Sequence, residues 1–288
     1  MQEGVGAGKL GPFASRRIDG THMPYISKTI SSPHNDEVKA LARLVQHSRD
    51  RRKEGVMVLE GIHLAESCLQ AGGELSRIYL NEAAAGKPEV RRLLDSLPPG
   101  STVVSLPEAV MSKVTALASA GELLALSPRP SPEAPPAQAA RVMLEDIQDP
   151  GNLGTILRTA AAAGVYDVFL SKGCVDVFSP KVLRAGMGAH FALRIHEHAD
   201  LAGELSRFGG RKLVTHLEGS SSLYGHDLTG PVAFVFGNEG AGVCDALLAL
   251  ADARIRIPMP GHAESLNVAM AATVCLFERV RQLEGRRA

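Results

Sequence analysis

The sequence predicts an α/β protein in two parts, a small N-terminal α/β unit and a larger domain whose parallel sheet carries helices on both faces. Three observations predict it. From Arg141 onward, short apolar runs alternate with helical periodicities, the pattern of repeated strand–helix–strand units. The segment from Ser127 to Gln138 holds five prolines, which forbid a helix or a central strand and favour an extended linker. Ahead of it, about a hundred residues carry strand and helix signals of their own, enough for a separate domain.

Residues 1–23 are rich in Gly and small polar residues without apolar periodicity, so they are expected to form a disordered leader. Gly4, Gly6, Gly8 and Lys9 do not make a phosphate loop: the preceding strand, the full spacing and a following Ser or Thr are missing. In the first domain, residues 24–127, a helix is expected from Asn35 to about His47, where Val38, Leu41, Ala42, Leu44 and Val45 recur at helical spacing. Val56 to Leu59 is a strand, followed by a helix through Leu64 and Leu69 that Gly72 and Gly73 stop. Ile78 to Leu80 and Val103-Val104 are further strands. The linker occupies residues 128–140 and the second domain residues 141–288.

In that second domain the expected order is a strand at Val142 to Leu144, an alanine-rich helix ending at Gly164, and a strand at Val168 to Leu170. A helix over Pro180 to Gly186, strands at Phe191 to Ile195, Lys212 to Thr215 and Val232 to Phe236, and a helix from Val243 to Leu250 follow. A strand from Ala253 to Ile257 and a last helix over about Ser265 to Gln282 complete the pattern. Ligands of such sheets sit at the carboxyl ends of the strands.

Composition limits the function classes. Apolar residues make up 45% and charged residues 22%, as in ordinary globular proteins; with aromatics at only 4% and no Trp, the core must be Ala, Leu and Val. No stretch approaches the roughly 18 apolar residues of a membrane span, and no signal-peptide pattern is present, so a cytoplasmic protein is expected. Cys68, Cys174, Cys244 and Cys275 lack paired spacing and are expected to be buried free thiols. Lys plus Arg equal Asp plus Glu at 31 each, so nucleic-acid affinity must come from local clusters, the densest being Arg49, Arg51, Arg52 and Lys53. His262 beside Glu264 lacks the further ligands a metal needs, so no metal is expected.

Three segments carry unusual residues just after expected strands: Asp149 to Ala160, Phe236 to Gly242, and Ile257 to Ala269. Strand ends on one side of a parallel sheet converge, so the three are expected to line one cleft. Gly237, Gly240 and Gly242 let backbone approach a flat ligand without Cβ clashes. Ile257, Met259 and Leu266 supply apolar walls for an adenine, and Arg158 a planar fork of donors for a phosphate oxygen. Asn152, Ser265 and Asn267 are suited to holding a ribose hydroxyl or fixing Arg158. The glycine spacing is wrong for the dinucleotide fingerprint, which argues against a dehydrogenase.

Taken together, "DPGNLGTILRTAAAAG", "FVFGNEGAGV" and "IPMPGHAESLNVAMAA" resemble the three motifs of the SpoU family of RNA 2′-O-ribose methyltransferases, over the whole second domain. "VMVLEGIHLAESCLQAG" resembles, over a shorter stretch, the small substrate-binding domain that often precedes it, a fold akin to ribosomal protein L30e. The resemblance implies a deep trefoil knot, S-adenosylmethionine as methyl donor, and a homodimer in which both subunits contribute to each active site. It implies a donor pocket with Gly237, Ile257 and Leu266, with Asn267 close by, and Arg158, Asn152 and Glu239 facing the target ribose; Met259 is expected to join the donor pocket, Ser265 to bind substrate, and Asn267 to serve catalysis as well. Because an arginine is a poor base at neutral pH, Arg158 is expected to bind the adjoining phosphate, with Glu239 or the phosphate taking part in proton removal. Ribosomal RNA is the expected substrate; the rivals are transfer RNA, or a non-catalytic RNA-binding or ribosome-assembly factor that keeps the fold. The apolar stripe of the last helix (Val268, Ala271, Ala272, Val274, Cys275, Leu276) fits a dimer interface and a monomer core equally. Met270, where many relatives carry a smaller residue, is expected to affect packing alone.

Overall fold

The computed structural model describes residues 17–18, 21–22, 26–117 and 121–286. The expected leader, with its glycine run, lies outside the described residues apart from an antiparallel pair, β1 (Arg17–Ile18) and β2 (Thr21–His22).

The first domain is a five-stranded mixed sheet, β3 (Ile26–Thr29), β4 (Val56–Glu60), β5 (Arg77–Asn81), β6 (Val103–Leu106) and β7 (Leu123–Pro128), ordered β3-β6-β5-β7-β4. Its helices are α1 (Asp36–Gln46), α2 (Ser48–Glu54), α3 (Ile62–Gln70), α4 (Pro88–Asp95) and α5 (Glu108–Val114). α1 starts where Asn35 Oδ1 accepts from the Glu37 N–H at 2.9 Å, and buries the Val38–Leu41–Leu44–Val45 face as the spacing predicts. The linker begins later than expected. Ser127 and Pro128 finish β7, where Pro128 pairs with Val56 of β4. Pro128 stands beyond the last residue of β7 paired to β5, so its missing N–H breaks no bond to that strand.

The second domain is a seven-stranded, wholly parallel sheet: β8 (Arg141–Leu144), β9 (Asp167–Leu170), β10 (Arg194–His196), β11 (Arg211–Thr215), β12 (Ser221–Ser222), β13 (Val232–Phe236) and β14 (Ala253–Arg256), ordered β10-β9-β8-β13-β11-β14-β12. Helices α6 (Pro150–Ala162), α7 (Pro180–Gly186), α8 (Leu201–Arg207), α9 (Asp245–Leu248) and α10 (Val268–Gly285) cover it. The expected strand at 191–195 is in part a 3-10 turn, Ala189–Phe191, and the expected helix over 243–250 is one turn of α9. Sheet order reverses between β8 and β13: β9 and β10 step away on one side, β11 and β14 on the other. The loops after β8 and β13 therefore meet at a switch point, where a crevice opens.

Two close approaches set the frame. A Cβ at Gly154 of α6 would lie 2.4 Å from the Ala185 Cβ and 2.9 Å from Gly186 N of α7, so only glycine lets these helices meet. One apolar cluster also runs across the domains, joining Met57, Leu59 and Cys68 of the first to Phe178, Val182 and Leu183 of the second. Each fully buried large side chain there contributes about 1.5–3 kcal/mol. Cys68 and Cys275 are buried as expected; Cys174 is half-buried and Cys244 exposed, because Cys244 precedes α9 on the surface of the loop. No helix is long and apolar enough to cross a membrane among the described residues.

Gly154→Val is expected to destabilise the protein by about 1–3 kcal/mol, the usual cost of forcing atoms into a packed contact. A thermal midpoint equal to that of the natural protein would show that α6 and α7 can separate freely.

Candidate functional site

α6 begins where Asp149 Oδ1 accepts from the Asn152 N–H at 2.7 Å, with Pro150 in the first turn, so its amino end points Asn152 at the switch point. The loop after β13 is built by Asn238. Its Oδ1 accepts from Gly240 N at 2.9 Å and Ala241 N at 3.0 Å, and its Nδ2 donates to Asp146 O at 2.8 Å. Asn238 and Gly242 bond to each other as an isolated bridge. α10 begins at Asn267, whose Oδ1 accepts from Ala269 N at 2.9 Å.

These three starts converge. Asn267 Nδ2 donates to Asn152 Oδ1 at 2.9 Å, and Asn152 Nδ2 donates to Glu239 Oε1 at 2.9 Å. Glu239 also accepts from the Gln148 and Asp149 N–H groups, both at 3.4 Å. Burial alone would raise the Glu239 carboxyl, but the hydrogen bonds from Asn152 and from the backbone of Glu239, Gln148 and Asp149 outweigh it and hold it below its ordinary 4.5. Glu239 is thus held as an anion with both oxygens in contact with donors, suited to holding Asn152.

Beside the chain of amides lies a cleft of about 650 Å³, within the range that holds a nucleoside-sized ligand. Gly237, Glu239, Ile257, Met259, Ser265, Leu266 and Asn267 line it, bringing together seven of the nine expected site residues. Asn152 touches it through Asn267. Arg158 does not line it: it is exposed on α6, without a hydrogen bond or ion pair among the described residues. The loop after β11, with His216, Leu217 and Glu218, forms a further wall that the sequence reading did not single out. Its position after a strand was the available signal, but no unusual residue marked it.

Gly237 needs a reason other than the one expected. A Cβ there would lie 2.2 Å from Gly242 C and O and 2.5 Å from Val243 N, so the missing side chain makes room for the loop's own backbone. At Gly240 a Cβ would meet only Asn238 Oδ1, at 3.6 Å. The cationic cluster is also reassigned. Arg51 is buried and pairs with Asp176, and Arg52 lies 3.7 Å from Glu197, which leaves Arg49 and Lys53 exposed for other partners. His262 and Glu264 are both exposed.

With this geometry in place, the likeness to known proteins is specific. Residues 139–277 match the SpoU rRNA Methylase family and residues 35–125 the MRM3-like substrate binding domain. The chain is 34% identical over 253 residues to the 23S rRNA (guanosine(2553)-2′-O)-methyltransferase RlmP of Bacillus subtilis, covering 87% of this chain and 98% of that one. It is 31% identical over 244 residues to the 23S rRNA (guanosine-2′-O-)-methyltransferase RlmB of Pseudomonas putida, covering 79% and 97%. Among solved structures, the AdoMet-bound rRNA methyltransferase from Sinorhizobium meliloti superimposes with a TM-score of 0.78 at 32% identity, covering 88% and 98%.

Two outcomes follow. Gly237→Ala is expected to lower the thermal midpoint clearly, whereas Gly240→Ala leaves it unchanged; equal midpoints would show that the 237–242 turn is not close-packed. Because the Glu239 carboxyl lies lower in the folded protein than its ordinary 4.5, its stabilisation is complete above 4.5 and is lost as pH falls through the lower folded value. The stability deficit of Glu239→Gln, measured by melting between neutral and acid pH, is therefore expected to shrink in that acid window. A deficit constant with pH would contradict the assignment.

Proposed function

The chain belongs to the SpoU rRNA methylase family, and from that premise we propose that it methylates a ribose 2′-hydroxyl of ribosomal RNA, with S-adenosylmethionine as donor. The observation that carries this reading is the joining of Asn152, Glu239 and Asn267, from three distant segments, at the rim of one nucleoside-sized cleft. The cleft fits the donor: Ile257, Met259 and Leu266 offer apolar walls, and the backbone at Gly240 stands open to a flat ligand. When bound, S-adenosylmethionine supplies a sulfonium-activated methyl group, so the protein's task is alignment and proton handling.

Asn267 and Asn152 hold the acceptor ribose near the cleft mouth, kept in one orientation by the Glu239 anion. Arg158 binds the adjoining phosphate; a guanidinium stays protonated at neutral pH, so the 2′-hydroxyl proton passes to Glu239 or to that phosphate and on to solvent. Since Arg158 stands on an exposed face of α6, away from the cleft lining, it serves a site completed by a second copy of the chain. Support for pairing comes from α10, where Met270 and Phe277 are 46% and 45% exposed, while Ala272, Cys275 and Leu276 of the expected stripe are core. Met270 is thereby a surface residue rather than a packing one.

A knotted path fits the same arrangement. After β14, beyond β11, the chain returns past the loops after β11 and β13 to set α10 against α6. Cytoplasmic action fits four free thiols, one of them exposed. The names of the relatives favour ribosomal over transfer RNA, and the intact amide chain favours an enzyme over a bare RNA binder.

Calorimetric titration is expected to show one S-adenosylmethionine or S-adenosylhomocysteine site per subunit; binding of neither would overturn the reading. Arg158→Lys is expected to lower kcat on unmodified ribosomal RNA roughly ten- to a hundredfold, the loss of about one charge-assisted hydrogen bond. Near-full activity would remove the need for a planar fork.

A further inference from the structure

Arg51 is the buried member of a cationic run, and its partners lie on both sides of the domain boundary. Its Nη1 donates to Leu44 O at 2.7 Å and Val45 O at 3.0 Å, closing the end of α1. Its Nη2 donates to the Asp176 carboxylate of the second domain, with the two side chains 3% and 10% exposed. Asp176 belongs to the turn after β9, which is tied in turn to the segment after β8. Val175 N donates to Ile147 O at 2.9 Å, and Gln148 Nε2 donates to Gly173 O. The backbone N–H groups of Gln148 and Asp149 hold Glu239, and Glu239 holds Asn152.

A line of hydrogen bonds and intervening backbone thus runs from the α1–α2 corner of the first domain to the amide chain at the cleft, its last step the two 3.4 Å contacts onto Glu239. We infer that Arg51 and Asp176 form a positioning pair for the reaction: the first domain sets the place of residues 145–149, and through them of Glu239 and Asn152. A charge buried at this depth is held in one place only while its partner is present, which makes the pair a stiff link rather than a surface tether. The other ionic contacts across the boundary do not serve this end. Arg129 and Arg52 meet Glu197 just past β10, and Arg184 of α7 meets Glu60, none of them on residues 145–149 or 171–179.

The inference rests on the methyltransferase reading for its consequence, but its linkage can be read without activity. Hydrogen exchange by mass spectrometry would be followed on the full chain in Asp176→Asn, Arg51→Met and, for comparison, Glu197→Gln. Asp176→Asn keeps the side-chain shape and serves if Arg51→Met fails to fold. Faster exchange in 145–152 and 171–179 is expected for the first two variants and not for Glu197→Gln. In methylation assays the first two are expected to lose about ten- to a hundredfold in kcat, the scale of a small misplacement of reacting groups, with KM for RNA and S-adenosylhomocysteine affinity kept. Unchanged exchange in 145–152, or an equal change in Glu197→Gln, overturns the inference. Raised exchange in a protein whose natural form binds no S-adenosylhomocysteine supports the linkage and sinks the methyltransferase reading instead.

Discussion

The loops that follow β8 and β13 are bonded to each other at every turn, and the working end of the second domain depends on that contact. Glu145 N donates to Phe236 O at 2.9 Å, Cys244 N to Glu145 Oε2 at 2.8 Å, and Asn238 Nδ2 to Asp146 O at 2.8 Å. Neighbouring parallel strands leave their carboxyl ends side by side, so the polar backbone of two loops must be satisfied in one place. Here each loop satisfies the other. A rim made this way keeps its shape before any ligand arrives, which is what alignment of a reacting hydroxyl demands.

That economy explains why polar residues around the cleft divide into two kinds. Asn238, Asp149 and Glu145 spend their hydrogen bonds on backbone and build the rim. Asn267 donates to Asn152 and Asn152 to Glu239, which joins side chains of three segments to one another at the cleft. Gly237 belongs with the builders, although its place beside the cleft suggests ligand contact: Gly242 occupies the space its side chain would need.

The same division applies between domains. Buried arginines such as Arg51, and half-buried ones such as Arg184, are directed at carboxylates across the boundary rather than at solvent. A guanidinium removed from water requires such a partner, and a domain boundary closed by several of them, over a shared apolar cluster, resists rotation. The first domain is therefore held at a set distance from the cleft.

Much of this was legible in the residues themselves. Apolar spacing placed α1 and the strands β8, β9, β11 and β13, the caps at Asn35 and Asp149 follow local side-chain chemistry, and the prolines after β7 mark the boundary. The three motifs led to seven residues that share one cleft. These signals are local, written within a few positions of the chain. What the tertiary structure alone decided is the choice of partner: that Arg51 meets Asp176 and not a phosphate, that Glu239 is engaged on both oxygens, and that α10 turns Leu276 inward and Phe277 outward. The first half of α10 carries apolar residues nearly all round, so the stripe read from its spacing names the buried face only in part. Ion pairs formed across 125 positions of chain leave no local pattern at either end, because what selects them is the packing of two sheets and not the spacing of residues.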